Sequence, residues 1–167
     1  MNKILLIITG SIAASKCKEI ITLLNINEVK ISCILTNEAK KYTKILDIKK
    51  LLKNRIFTDE HEKKNKMLHI NLSRDNDIIV VCPATANSIA KFANGYGDNL
   101  ASNTLLASNK KILFVPAMNG FMWHNKINQK NVQLLKDNGH EFIGPKIGKL
   151  KCGEFGLGRI DNSKNIV

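Results

Sequence analysis

The sequence has few aromatic residues and no long apolar run, and both shortages narrow the possible functions. Only 5% of its 167 residues are aromatic, so it offers no platform on which unpaired bases could stack. No apolar run approaches the roughly 20 residues that cross a bilayer, and no small-residue cleavage site follows Met1-Asn2-Lys3. We therefore expect a cytoplasmic protein with no nucleic-acid partner and no membrane segment.

Paired cysteines are also missing. The four cysteines lie far apart, and none belongs to a C-x-x-C pair: Cys17, Cys33, Cys82 and Cys152. This spacing predicts neither a zinc site nor a disulfide framework, and we expect no metal. Cys33 and Cys82 lie in strand-like runs and are predicted to be small core residues, whereas Cys152 lies in a glycine-rich segment.

The glycine-rich loops that usually hold phosphates are absent too. Neither G-x-G-x-x-G nor G-K-[ST] follows a predicted strand, which disfavours a dinucleotide. A mononucleotide phosphate held by Gly10, Ser11 and neighbouring amides, including that of Ile12, stays open. The formal net charge of +12 suits an anionic ligand, although lysines spread along the whole chain are also typical of a solvated surface.

What the chain does have is a regular alternation of strand and helix patterns. Apolar runs predict strands at 3–9, 28–35, 78–82, 111–115 and 140–143. Helical patterns occupy 12–24, 45–52, 89–92, a stretch ending at 107, and 125–138 with Gly139 as the carboxyl cap. Continuous apolar strands joined by helices predict an α/β fold, a doubly wound parallel sheet of Rossmann or flavodoxin-like type in one domain, 1–167.

The glycine-rich segment 144–159 breaks this alternation. Its composition predicts an irregular, flexible loop that closes over a substrate.

Polar residues cluster after two of the buried strands, where open α/β sheets bind ligands. The segment Pro83–Ser88 contains hydroxyl and amide side chains, and Pro116–Trp123 contains Asn119 and the only tryptophan. Both segments also have purely structural interpretations. The first could supply helix caps, and the second could be a strand-to-helix corner with Trp123 in the core. A histidine such as His69, in an apolar stretch, is more often a hydrogen-bonded structural residue.

Several motifs together resemble one family. Pro83-Ala-Thr-Ala-Asn-Ser88 is similar to P-A-S-A-N-T, and Pro116-Ala-Met-Asn-Gly-Phe-Met-Trp123 to P-x-M-N-x-x-M-W, of the homo-oligomeric flavin-containing cysteine decarboxylases. Cys152-Gly-Glu-Phe-Gly-Leu-Gly-Arg159 resembles the C-G-x-x-G-x-G-R substrate clamp of its phosphopantothenoylcysteine decarboxylase branch. The T-G-S-I-A-A-S-K and L-H-I-N-L segments are similar as well. Thr85 and Ser88 depart from the commoner Ser and Thr, but each keeps a hydroxyl.

The resemblance implies a carboxy-lyase reaction of coenzyme A biosynthesis, the FMN-dependent conversion of 4'-phosphopantothenoylcysteine to 4'-phosphopantetheine. Oxidation of the substrate's CH2–SH group, with FMN as electron acceptor, creates a C=S group that takes the electrons as CO2 leaves. The resulting ene-thiolate is then protonated and reduced. The cycle is therefore redox-neutral overall.

The resemblance also implies roles for individual residues. It makes His69 the base for the oxidation step, Asn119 the residue that holds the substrate carboxylate, and Cys152 the acid that protonates the ene-thiolate. Further substrate contacts would be Met122, Gly153 and Arg159. The implied FMN contacts are Gly10, Ser11, Ile12, Thr36, Thr85, Ala86, Asn87, Ser88 and Met118. The segment 144–159 would be the substrate clamp.

The family resemblance implies a homo-oligomer, a trimer or a dodecamer, with an active site shared between chains. In many bacteria the domain is fused to a synthetase domain. Two alternatives stay open. Peptidyl-cysteine decarboxylases share the first two motifs but lack the clamp cysteine, and some relatives are non-catalytic flavin-binding regulatory subunits. Flavin prenyltransferases share the fold but lack the P-x-M-N-x-x-M-W motif.

Overall fold

A parallel β-sheet forms the centre of the computed structural model, which describes residues 3–53 and 55–167; residues 1, 2 and 54 of the predicted domain lie outside it. Its strands are β1 Lys3–Ile8, β2 Lys30–Leu35, β3 Ile56–Phe57, β4 Ile78–Ala84, β5 Ile112–Pro116 and β6 Glu141–Phe142. They lie in the order β3-β2-β1-β4-β5-β6, and every neighbouring pair is parallel. The strand order therefore reverses between β1 and β4, the point at which such sheets bind ligands.

Helices cover the sheet on both faces. In chain order they are α1 Cys17–Ile26, α2 Ile45–Leu51, α3 Asp59–Lys64, α4 Leu68–Asp75, α5 Ala86–Ala93, α6 Leu100–Leu106, α7 Gly120–His124, α8 Lys126–Asp137 and α9 Ser163–Ile166. Short 3-10 turns at Ile12–Lys16 and Ala39–Lys41 precede α1 and α2. No helix in the described ranges has both the length and the apolar character needed to cross a membrane.

The two faces of β1 explain this layered arrangement. Leu6 and Ile8 pack into a cluster with residues of α1, whereas Leu5 and Ile7 pack with residues of α4, α6 and α8. All four are at most 1% exposed, so four successive positions of the strand are buried and apolar, as in a strand covered on both faces. The predicted doubly wound α/β fold is confirmed.

Most predicted elements are also confirmed, within a few residues at their ends. Two were missed. The strand β3 contains only two residues, too few for a periodic pattern. The apolar stretch around His69 forms the helix α4.

The expectation that 144–159 is irregular is wrong. Strands β7 Lys146–Lys149 and β8 Phe155–Arg159 pair antiparallel and form a hairpin, within which Gly148 lies opposite Gly156. Ladder hydrogen bonds need only backbone groups, so low strand propensity did not prevent pairing. The hairpin docks on the loop after β5, where the Met118 N–H donates to the Gly158 carbonyl at 3.0 Å.

This docking generates a prediction about Gly158. A Cβ on Gly158 would lie 2.3 Å from the Met118 carbonyl oxygen, whereas a Cβ on Gly156 would meet nothing within 4 Å. We expect Gly158→Ala to lower the free energy of unfolding by about 1–3 kcal/mol, the usual cost of overpacking. Urea denaturation measures the change. Gly156→Ala is the matched control and should leave stability unchanged or slightly higher; equal effects of the two substitutions would contradict the docking.

Candidate active site

A cavity of about 1220 Å³ opens at the carboxyl ends of β1, β4 and β5. It exceeds the roughly 300–1,000 Å³ of most small-molecule sites, so it has room for a cofactor and a substrate together. Every predicted cofactor and substrate residue lines it: Gly10, Ser11, Ile12, Thr36, Thr85, Ala86, Asn87, Ser88, Met118, Asn119, Met122, Cys152, Gly153 and Arg159. Of the predicted site residues, His69 is missing from the wall.

The turn after β1 forms one end of the cavity. Gly10 must be small there, because a Cβ would lie 2.4 Å from the Cβ of Glu38. Ser11 caps the following 3-10 turn, its Oγ accepting from the Ala13 N–H at 3.2 Å. A tight turn that leads into a helical start is an arrangement suited to phosphate.

The first turn of α5 forms a second set of donors. The Thr85 hydroxyl accepts from the Ser88 N–H at 3.2 Å, and the Ser88 hydroxyl donates to the Thr85 carbonyl at 2.9 Å. The capping interpretation of these two residues is therefore confirmed. Because N–H groups in a first helical turn lack intrahelical partners, Ala86 and Asn87 can offer theirs to a ligand in the cavity they line.

Asn119 has an amide whose orientation is fixed by the helix that follows it. Its Oδ1 accepts from the N–H groups of Phe121 at 2.8 Å and Met122 at 3.4 Å, capping α7. The Nδ2 group is left to face the cavity as a donor, which suits an anionic acceptor. Trp123, four residues on, is 9% exposed and belongs to the core, so its structural interpretation is confirmed.

The hairpin places Cys152 beside this amide. The Cys152 Sγ lies 3.6 Å from Asn119 Nδ2, and the Glu154 carboxylate lies against both. Glu154 Oε2 accepts from Asn119 Nδ2 at 2.6 Å and from the Cys152 thiol at 3.4 Å. One carboxylate oxygen is therefore bound by the amide and the thiol at once.

Sequence reasoning missed Glu154. It occupies a variable position of the C-G-x-x-G-x-G-R pattern, and no spacing rule relates it to Asn119, which lies 35 residues away. Its place within the clamp segment is the only sequence signal that could have pointed to it.

His69 lies elsewhere, at the start of α4. Its Nδ1 is hydrogen-bonded to the carboxylate of Glu62, and its side chain is 25% exposed. The structure thus brings Asn119 and Cys152 together within one chain but does not bring His69 to them. The predicted catalytic role of His69 is not tested by this geometry and stays a prediction.

Among the residues that the structure describes, five basic side chains line the cavity, against the three acidic ones of Glu38, Asp59 and Asp98. Lys16, Lys149, Lys151 and Arg159 line it, three of them in or next to the hairpin strands. Lys91 is paired with Asp98, and its hydrogen bond lowers the pKa of that carboxyl below its usual value. A basic rim of this kind attracts anionic ligands.

The cavity lies where the strand order of a doubly wound sheet reverses. It contains hydrogen-bond donors suited to an anion, and a thiol lies beside an amide. These features define an α/β enzyme that binds a cofactor. The model of the flavoprotein family matches residues 1–167. The chain belongs to that family.

Curated relatives agree with this assignment. The "Probable phosphopantothenoylcysteine decarboxylase" of Streptococcus mutans is 34% identical over 170 residues, covering 99% of this chain and 95% of the relative. The "Coenzyme A biosynthesis bifunctional protein CoaBC" of Haemophilus influenzae is 35% identical over 161 residues and 95% of this chain. The chain spans only 40% of that bifunctional relative.

Solved structures share the whole fold. A mutant PPC decarboxylase complexed with pantothenoylaminoethenethiol superposes with a TM-score of 0.92 and 28% identity, covering 99% of this chain and 93% of the other. The FMN binding protein AtHal3 gives 0.88 and 29%, with coverages of 99% and 92%. The peptidyl-cysteine decarboxylase EpiD gives 0.85 and 30%, with coverages of 99% and 97%.

Proposed function

We propose that this chain is an FMN-dependent decarboxylase that converts 4'-phosphopantothenoylcysteine to 4'-phosphopantetheine in coenzyme A biosynthesis. The observation that carries the proposal is the convergence of the Asn119 amide and the Cys152 thiol on one carboxylate oxygen of Glu154. The site therefore accommodates a carboxylate where the substrate's carboxylate must be held, with a proton donor beside it. The relatives named for this reaction support the same substrate.

The cavity fits FMN in its size and its donors. The small turn at Gly10 and Ser11 would hold the phosphate, and the free N–H groups at the start of α5 would bind polar atoms of the flavin. Met118 and Ile12 supply apolar wall for the ring. When bound, FMN would serve as acceptor for the electron pair of the substrate thiol and return the pair at the end of the cycle.

The chain's own residues then have distinct tasks. The Asn119 Nδ2 group binds the substrate carboxylate, which replaces that of Glu154. Met122 lines the same part of the cavity, with Gly153 beside Cys152. The Cys152 thiol donates its proton to the carbon left after CO2 departs. Lys149, Lys151 and Arg159 attract the phosphorylated substrate.

His69 would act from a second copy of the chain. It does not line the cavity of its own subunit, which supports an active site completed across a subunit contact. A closed symmetric assembly such as a trimer gives every site one such histidine, and a dodecamer would repeat that unit. We propose a cytoplasmic homo-oligomer of this kind, in which the histidine takes up the proton of the substrate thiol.

A peptidyl-cysteine decarboxylase is the second candidate, and the likeness to EpiD favours it. That reaction stops at the ene-thiol and needs no proton donor to carbon after CO2 release. Contact between Cys152 and the amide–carboxylate group favours the complete reaction instead. A non-catalytic flavin-binding subunit would keep the cofactor but release no CO2.

The proposal is tested by the flavin spectrum and the product mass. Purified protein should be yellow, and with 4'-phosphopantothenoylcysteine it should give CO2 and 4'-phosphopantetheine. A protein that gains no flavin on reconstitution would remove the proposal. CO2 release from a cysteine-ending peptide alone would select the second candidate, and bound flavin without any CO2 would select the regulatory subunit.

Asn119→Asp tests the carboxylate subsite. An aspartate oxygen can still cap α7, but it faces the substrate carboxylate with like charge. Such a contact costs several kcal/mol, so kcat/KM should fall by about 100-fold or more. Asn125→Asp is the matched control, because Asn125 caps α8 by accepting from the Ile127 N–H at 2.9 Å. Unchanged turnover by Asn119→Asp would mean that the carboxylate is held elsewhere.

Cys152→Ser tests the proton donor. We expect this variant to release CO2 but to accumulate the oxidised ene-thiol product, because a hydroxyl is a much weaker acid than a thiol. Mass spectrometry separates the two products by two hydrogen atoms, and CO2 release serves as the internal control. Full conversion to 4'-phosphopantetheine by the variant would show that another group donates the proton.

A further inference from the structure

Glu62 and His69 form a two-point contact between α3 and α4. One carboxylate oxygen of Glu62 is hydrogen-bonded to the His69 Nδ1, and the other accepts from the His69 backbone N–H at 3.2 Å. The side chains are only 19% and 25% exposed. Partial burial and the second hydrogen bond therefore hold the carboxylate and the imidazole more firmly than a surface ion pair would.

The contact defines which ring nitrogen carries the proton. An ionised carboxylate only accepts hydrogen bonds, so the neutral imidazole must have its proton on Nδ1. Nε2 then presents a lone pair, and no hydrogen bond to it is formed within residues 3–53 and 55–167. His69 is thus prepared to accept a proton at Nε2.

We propose that Glu62 is a positioning residue for catalysis: it fixes the His69 ring and the tautomer in which Nε2 acts as the proton acceptor. This inference rests on the proposed function, in which His69 completes the site of a second copy. Glu62 itself does not line the cavity that contains Asn119 and Cys152. Its effect on the reaction would pass through the imidazole alone.

The sequence places Glu62 where it can serve this purpose. Thr58 and His61 form a capping box that starts α3, which orients the turn carrying Glu62. The α4 helix has Met67 at its N-cap and no side-chain hydrogen bond there. The Glu62 carboxylate supplies the missing acceptor at the His69 N–H, so one side chain caps the helix and orients the ring.

Glu62→Gln separates the two tasks because an amide has only one acceptor oxygen. The backbone N–H of His69 cannot give up its proton, so we expect it to keep the amide oxygen. The NH2 group then faces Nδ1, and the ring proton must move to Nε2. The variant keeps its helix cap and its imidazole but offers a donor where the wild type offers an acceptor.

The direct test is ¹⁵N NMR of the histidine rings in the flavin-loaded full chain. Wild type should show His69 protonated at Nδ1, and Glu62→Gln should show it protonated at Nε2. The matched control is Glu60→Gln on the same helix, where the carboxylate is 64% exposed and pairs with Lys63; it should behave as wild type. A wild-type ring protonated at Nε2 overturns the inference without any variant.

Kinetics with 4'-phosphopantothenoylcysteine supply the second readout. A general base contributes roughly 10²–10⁴ to rate, so kcat for Glu62→Gln should fall by about 10-fold or more, while KM stays within about twofold because only proton transfer is affected. Flavin content and thermal midpoint should stay near those of Glu60→Gln. Wild-type kcat in Glu62→Gln, or a rise confined to KM, overturns the inference.

The same experiment distinguishes the two hypotheses. If the wild type releases no CO2, the proposed function fails, and the catalytic meaning of the pair fails with it whatever the tautomer. If the wild type is active and Glu62→Gln retains both its tautomer and its kcat, only the role of Glu62 is overturned.

Discussion

The close approach of the hairpin to the loop after β5 is the contact on which the rest of the site depends. Gly158 lies so near the Met118 carbonyl that a single methyl group would collide with it, and the Met118 N–H closes the contact. Through this contact the hairpin brings Cys152 and Glu154 to Asn119. Without the docking, the amide and the thiol would belong to unrelated parts of the surface.

Local structure and ligand chemistry use the same hydrogen bonds in this protein. The amide oxygen of Asn119 caps α7, and because it is used there, the Nδ2 group is the part of the amide that faces the cavity. Thr85 and Ser88 likewise satisfy each other at the start of α5, leaving backbone donors for a ligand. Glu62 repeats the pattern at α4, where one carboxylate caps a helix and orients an imidazole. Residues with a plain structural explanation can therefore also define the chemistry of the site.

One chain supplies some of the candidate catalytic groups to its own cavity but not all of them. The cavity, the amide and the thiol come from a single subunit, whereas the candidate base lies outside that subunit's cavity wall. Under the proposed function, assembly is then a condition for catalysis. Under the same proposal, the substrate carboxylate would displace that of Glu154 from Asn119.

The sequence by itself determined the sheet, apart from its edge strand β3, and the location of the cavity. Short continuous apolar runs bounded by turn residues are typical of inner strands, and the polar segments that follow β1, β4 and β5 then meet at one edge. Tertiary structure decided the rest: the pairing of 146–149 with 155–159, the carboxylate of Glu154 at Asn119, and that of Glu62 at His69. Glycine-rich strands pair through backbone hydrogen bonds, so rules based on side-chain propensity do not detect them. Contacts between distant residues depend on side-chain direction and docking, which no spacing within the chain encodes.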